Sequence, residues 1–304
     1  MKLTINEITF LSALYEGKTP LSLFANVQAP LDGTESTSLA DKGVMENGVL
    51  TEAAKEILDI VAMTKKCARV MLKDSNCVVE KYTYKVDNNL VLVENAGGEM
   101  LFSMNPNFAT TMSELAEFTG MSRIKNTELE ILLSVEEMLV LLAIIDIYRK
   151  NALLSYVGTG PEKAAVAFSE IIKQLDTPVS NSFVVMLKKN YNYLVPEAKN
   201  AKSVLDKLVA KNCIAFNDGY ELLAEYAIFA KSMLIPETIL MLEALNIQEK
   251  GAVSSASALC ICAGIKDCAS LLFSKNEIEL TAISGMQLLQ MTENMLKCPE
   301  ISEE

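Results

Sequence analysis

One short pattern occurs twice in this chain, and it constrains the fold more than any other feature. Leu39-Ala-Asp-Lys-Gly-Val-Met-Glu-Asn-Gly-Val-Leu50 and Leu208-Val-Ala-Lys-Asn-Cys-Ile-Ala-Phe-Asn-Asp-Gly-Tyr-Glu-Leu-Leu223 both read Leu-x-x-Lys-[Gly/Asn]-apolar-apolar, followed by a turn ending in Gly and then a helical stretch. Gly or Asn after the lysine suits a helix end, because either residue enters the left-handed region at low cost. Asn-Gly and Asn-Asp-Gly are hairpin turn signals. Each copy therefore reads as a short helix, a small wing and a further helix, and the matching flanks imply a duplicated module.

In the first copy, residues 4–16 read as an amphipathic helix with Ile5, Ile8 and Leu11 at helical spacing. Thr4 is placed to cap it, and Glu7 completes a capping box. A short helix follows over 21–27, another over 36–42, and a third opens at Thr51 with Ala54, Ile57, Leu58 and Val61 on one side. From residue 66 the apolar period changes to two. Strands are expected at 66–73, 78–86, 90–94 and 99–104, broken by Asp74-Ser-Asn, Asp87-Asn-Asn and Gly97-Gly. Loops this short between consecutive strands imply an antiparallel meander. A helix over 107–118 closes the module.

The second copy repeats the order. Helices are expected at 135–148, 162–175, 198–211 and 220–233. Strands are expected at 238–242, 257–263, 269–274 and 277–283, and the closing helix at 285–295. The expected fold class is α+β: two duplicated modules, each with winged-helix-like helices, a four-stranded antiparallel meander and a closing helix, related by a pseudo-twofold. Module one covers 1–122, a linker 123–133, module two 134–298 with an insertion at 151–200, and an acidic tail 299–304.

Composition removes several function classes. There is no His, which eliminates Ser–His and Cys–His nucleophiles and the commonest metal ligand. Net charge is −12 and only Arg69, Arg123 and Arg149 carry guanidinium, so the Arg-rich basic stripe of a nucleic-acid binder is not evident. The N terminus reaches charged residues at once and lacks the apolar core of a leader peptide. The seven cysteines are odd in number and irregular in spacing, which fits a reducing cytoplasm. The longest apolar run, near 138–145, is shorter than the roughly 20 residues that span a bilayer.

Few residues point to chemistry. Cys260 and Cys262 share a strand face and Cys268 follows, but structural zinc takes four Cys or His ligands, so buried thiols are the simpler reading. Gly158-Thr-Gly-Pro161 lacks the Lys-Ser/Thr of a phosphate loop. Lys199, Lys202, Lys207 and Lys211 lie on one helix and spread over half its surface, as a solvated face does. No catalytic residue, metal site or cofactor is assigned. The insertion Phe183-Val-Val-Met-Leu-Lys-Lys-Asn-Tyr-Asn-Tyr-Leu194 has two readings: it packs onto its module, or it exposes an anchor patch. On the second reading Phe183, Met186, Tyr191, Tyr193 and Leu194 contact a partner.

With the duplicated order in view, the chain resembles the EspG family of type VII secretion chaperones. Four features carry the resemblance: Leu3-Thr-Ile-Asn-Glu-Ile8 with its echo Leu133-Ser-Val-Glu-Glu-Met138, Pro20-Leu-Ser-Leu23, the 39–50 segment, and the helix–meander–helix tail of both halves. Lys42 stands where the family more often has Arg, and low Arg and Ala content points to a low-GC Gram-positive relative. The resemblance implies a non-catalytic, cytoplasmic chaperone. Its partner would be a secreted helical-hairpin protein (WXG-type, PE–PPE-like or LXG-like), held export-competent without nucleic acid or membrane insertion. The competing expectation is a winged-helix DNA-binding transcriptional regulator.

Overall fold

The structure, a computed structural model, describes residues 1–160, 164–264 and 267–301. The chain begins with β1 (Lys2–Thr4), α1 (Ile5–Ser12), α2 (Leu23–Asn26), α3 (Glu35–Asp41), the hairpin β2 (Met45–Glu46) and β3 (Val49–Leu50), and α4 (Glu52–Met63). The strands β4 (Lys66–Lys73), β5 (Val78–Val86), β6 (Asn89–Ala96) and β7 (Glu99–Met104) follow, then α5 (Phe108–Thr119). Next come β8 (Glu130–Ser134), α6 (Val135–Tyr156), α7 (Phe168–Asp176), α8 (Phe183–Tyr191), α9 (Ala198–Ala210), the hairpin β9 (Ile214–Phe216) and β10 (Tyr220–Leu222), and α10 (Ala224–Ser232). The chain closes with β11 (Thr238–Ile247), β12 (Val253–Cys262), β13 (Cys268–Phe273), β14 (Glu277–Ile283) and α11 (Gly285–Leu296). The fold is α+β, and its main sheet has the strand order β1-β7-β6-β5-β4-β11-β12-β13-β14-β8.

The chain divides into two compact units. Unit one comprises Met1–Glu117, Leu240–Ala258 and the chain from Leu289; unit two comprises Phe118–Ile239 and Leu259–Leu288. In unit one, β4 to β7 form the expected antiparallel meander, with Cys67 opposite Tyr84 and Arg69 opposite Tyr82. Leu58 and Val61 of α4, Ile8 and Leu11 of α1, and Val91, Val93 and Phe102 of the sheet form one buried cluster. Each fully buried side chain of this size contributes about 1.5–3 kcal/mol. In unit two, α6 is apolar on every side. Residues 137–149 are all buried, as expected of a helix that others surround. α7, α8, α9 and α10 all pack on it.

Several sequence expectations are corrected. Residues 220–222 are strand, not the start of a helix. Tyr220 and Leu222 turn inward while Glu221 between them does not, and the turn at Asp218 (φ +55°) closes the hairpin with β9. The helix begins at Ala224. α6 continues eight residues beyond 148, because nothing in 149–156 breaks a helix before Gly158, which has φ +71°. α7 begins at Phe168 rather than 162. Before it, Val166 bridges to Tyr220, and residues 162 and 163 lie outside the described residues. α1 stops at Ser12, four residues short of the expected end. β1 and β8 were not anticipated, and residues 130–133 of the expected linker belong to β8, which pairs with β14. The tail at 299–301 is tied down in unit one. Asn246 and Gln248 donate to the carbonyls of Pro299 and Ile301, both at 3.1 Å, and Lys66 pairs with Glu300.

Candidate partner-binding surface

The insertion is held at its root by a buried ion pair in unit two. Asp146 and Arg149 lie one turn apart on α6, with Arg149 Nη1 2.7 Å from Asp146 Oδ1. The carboxylate also accepts from the backbone N–H groups of Phe183 (3.0 Å) and Val184 (3.2 Å), buried donors at the start of α8 that have no acceptor within the helix. Ser182 caps the same helix by accepting from the N–H of Val185. Arg149 donates a further bond to the Leu234 carbonyl at 3.1 Å, and its guanidinium stacks 4.2 Å from the Phe183 ring centroid. Burial pushes the Asp146 carboxyl up to about 6, while Arg149 and the two N–H donors hold it from rising further.

From this root the five sequence-derived contact residues separate. Phe183 is 1% exposed and faces the core of unit two under Arg149, so it is not part of the outer surface. Met186 is half-buried on α8. Asn192 adopts φ +52° and turns the chain back at the helix end. That turn stacks Tyr193 on Tyr191 at 6.1 Å and brings Tyr191 to 3.9 Å from the Phe273 ring of β13. Leu194, next to this aromatic trio, is 88% exposed. Sequence reasoning missed Phe273, which only the tertiary fold places here. It also missed Asp146 and Arg149, whose signal was an i, i+3 charge pair inside an otherwise apolar run.

The other candidates resolve as follows. Lys211 is exposed, as a solvated face requires, and it is also paired. It donates to Glu137 at 2.7 Å. Lys199 pairs with Glu197 at 2.9 Å, and Lys202 and Lys207 are exposed, with Asp206 exposed between them. Cys260, Cys262 and Cys268 are all buried, with Cys262 and Cys268 sulfurs 3.5 Å apart. Among the described residues no group of three or more Cys, Asp or Glu is arranged to hold a metal, and no helix is long and apolar enough to cross a membrane.

The repeated pattern has a defined geometry. In unit one, Glu7 closes the capping box of α1 with Thr4 and also receives Ser38 (2.6 Å) and Lys42 (2.9 Å). In unit two, Glu137 closes the capping box of α6 with Ser134 and receives Lys211.

Taken over its whole length, this arrangement of helices and sheet is an EspG-like fold, the fold of a type VII secretion chaperone. The structure is similar to the Mycobacterium tuberculosis chaperone EspG5, solved in complex with the PE25–PPE41 dimer. The TM-score is 0.54 at 10% identity, covering 100% of this chain and 98% of that one. No family model matches the sequence, and no curated protein sequence matches it.

Proposed function

We propose that this protein is a non-catalytic chaperone that binds a secreted α-helical client of a type VII secretion system in the cytoplasm and keeps it export-competent. The observation that carries the reading is the end-to-end fold likeness to a chaperone solved with a PE–PPE dimer. We also propose that the chain is an internal duplication, with modules at 1–122 and 134–298 related by a pseudo-twofold. The matched Glu7–Lys42 and Glu137–Lys211 pairs, each on a capping box, support that history.

The proposed client contact is the Tyr191–Tyr193–Phe273 cluster with Leu194 at its edge, and with Met186 from α8. Half-buried aromatics around an exposed Leu fit the anchor chemistry of specific interfaces, which bury about 1,200–2,000 Å². A second reading, DNA binding by α9 with the β9–β10 hairpin as wing, draws on the exposed Lys199, Lys202 and Lys207. The net charge of −12 and the scarcity of Arg weigh against it.

The test is a tagged pulldown from native host cytosol, washed at low and at high salt, with protein and nucleic acid both identified. A small helical protein destined for export, retained at high salt, supports the chaperone. DNA recovered at low salt only, with no such protein, replaces it with the regulator.

A further inference from the structure

We infer that Cys262 and Cys268 of unit two are a modification site, a thiol pair that a hydroperoxide converts to a disulfide and a thiol reductant restores. Their sulfurs already lie 3.5 Å apart. Cys262 ends β12 and Cys268 opens β13, neighbouring strands of the main sheet. The N–H of Ala263 donates to the carbonyl of Asp267 at 2.8 Å, so Cys262 and Cys268 stand opposite one another one step further from the turn. The Cys262 carbonyl is turned away from β13 and accepts from the N–H of Glu237 at 2.8 Å. The two cysteines are therefore a non-hydrogen-bonded pair, whose Cα atoms approach to about 4.5 Å. A disulfide spans Cα separations of about 4.4–6.8 Å, so closure needs side-chain rotation and no change of register.

The same geometry leaves Cys260 out of this bond. It shares a face of β12 with Cys262 but lies about 6.8 Å along the strand. It stands diagonal to Cys268, at about 7–8 Å. The Cβ atoms of a disulfide are about 3.5–4.5 Å apart, so neither partner is in reach. Burial also pushes the Cys260 thiol up, which keeps it protonated. Within the close pair, the shared hydrogen bond lowers the Cys268 thiol below its ordinary 9.0 and raises that of Cys262. Cys268 is thus the thiol that ionises first and attacks, and Cys262 resolves.

The Cys268 thiolate attacks one peroxide oxygen and the O–O bond breaks. The other oxygen leaves as an alcohol, or as water from hydrogen peroxide, carrying the proton that Cys268 lost. Cys268 is then a sulfenic acid. The Cys262 sulfur attacks the Cys268 sulfur, the S–O bond breaks, and the hydroxyl leaves as water with the Cys262 proton. Two thiols lose two electrons and the peroxide gains them. Both cysteines are at most 2% exposed, so the oxidant is small. The pair sits beside the β12–β13 turn, where local opening admits a peroxide without unfolding the sheet.

The test is a peptide map of the full chain. Lys266 lies between the two cysteines in sequence, so trypsin separates Cys260 and Cys262 (on 251–266) from Cys268 (on 267–275). Reduced protein is treated with hydrogen peroxide, remaining thiols are blocked with N-ethylmaleimide, and the digest is weighed by mass spectrometry before and after dithiothreitol. The expected result is that 251–266 and 267–275 are joined as the main linked species and that dithiothreitol releases them. The link should persist in Cys260→Ala and vanish in Cys262→Ala. The wild-type map stands by itself if a variant fails to fold. Both cysteines recovered as N-ethylmaleimide adducts, Cys268 oxidised to an acid with no link, a main link through other cysteines, or a link that survives Cys262→Ala would each overturn the assignment.

Discussion

Lys42 Nζ lies 2.9 Å from Oε2 of Glu7, on a carboxylate that is 3% exposed and already closes the capping box of α1. Lys211 makes the same contact with Glu137 at 2.7 Å. The repeated Leu-x-x-Lys-[Gly/Asn] pattern thus has a physical purpose in both places. Lys42 and Lys211 sit at the ends of α3 and α9 and tie them to the starts of α1 and α6.

Glu7→Gln and Glu137→Gln should each cost about 1–3 kcal/mol in urea unfolding at pH 7, since each buried carboxylate loses its charge and one of its two acceptor oxygens. Burial pulls both carboxyls upward, but hydrogen bonds outweigh it: from Ser38, Lys42 and the Thr4 N–H on Glu7, and from Lys211 and Ser134 on Glu137. Both end below the ordinary value of 4.5. A depressed folded pKa means stability that is present above 4.5 and lost as pH falls through the lowered value. The Gln variants should therefore lose less stability on acidification than the wild type. Equal acid sensitivity would contradict this account.

Most secondary structure was legible before the fold was known, for local reasons. The β4–β7 meander announced itself by period-two apolar residues and Asn/Asp/Gly breaks, and α1 and α4 by period 3.6. What failed was short or tertiary. β1 has three residues, too few for any period, and β1 and β8 run straight into the caps of α1 and α6. Residues 220–222 carry the same residue types as a helix start, and only pairing with β9 decides them. Phe183 looked like an anchor because an exposed aromatic and a buried one have the same sequence signature. Its burial depends on Asp146 and Arg149, 37 and 34 positions earlier.

Asp146 should give the pH dependence the opposite sign. Its carboxyl rises from an ordinary 3.8 to about 6, chiefly through burial. A raised folded pKa contributes stability below 3.8 that is lost as pH rises through about 6. Asp146→Asn keeps one acceptor oxygen and strands one N–H donor at the start of α8, costing about 1–3 kcal/mol at pH 4. The gap between wild type and variant should narrow between pH 4 and 7 in matched urea titrations. A gap that widens would show that the ion pair with Arg149 dominates burial.

Phe183 and Leu194 should separate stability from binding. Phe183→Ala should cost about 3–5 kcal/mol of stability, as truncation of a buried aromatic does. Leu194→Asp, at an 88% exposed position, should change stability by no more than about 0.5 kcal/mol while weakening client binding. Thermal unfolding alongside a client titration checks both. If Leu194→Asp binds the client normally, the contact lies elsewhere.

The central claim is that this chain holds an exported helical protein. Its most direct test is the mass of the species formed when the two are co-expressed and purified, measured by light scattering after size exclusion at low and high salt. The account predicts one stoichiometric complex that persists at high salt, because its contact is apolar, and that dissociates with Leu194→Asp. A protein that elutes without any such client at both salts, or that carries duplex DNA at low salt instead, would contradict it.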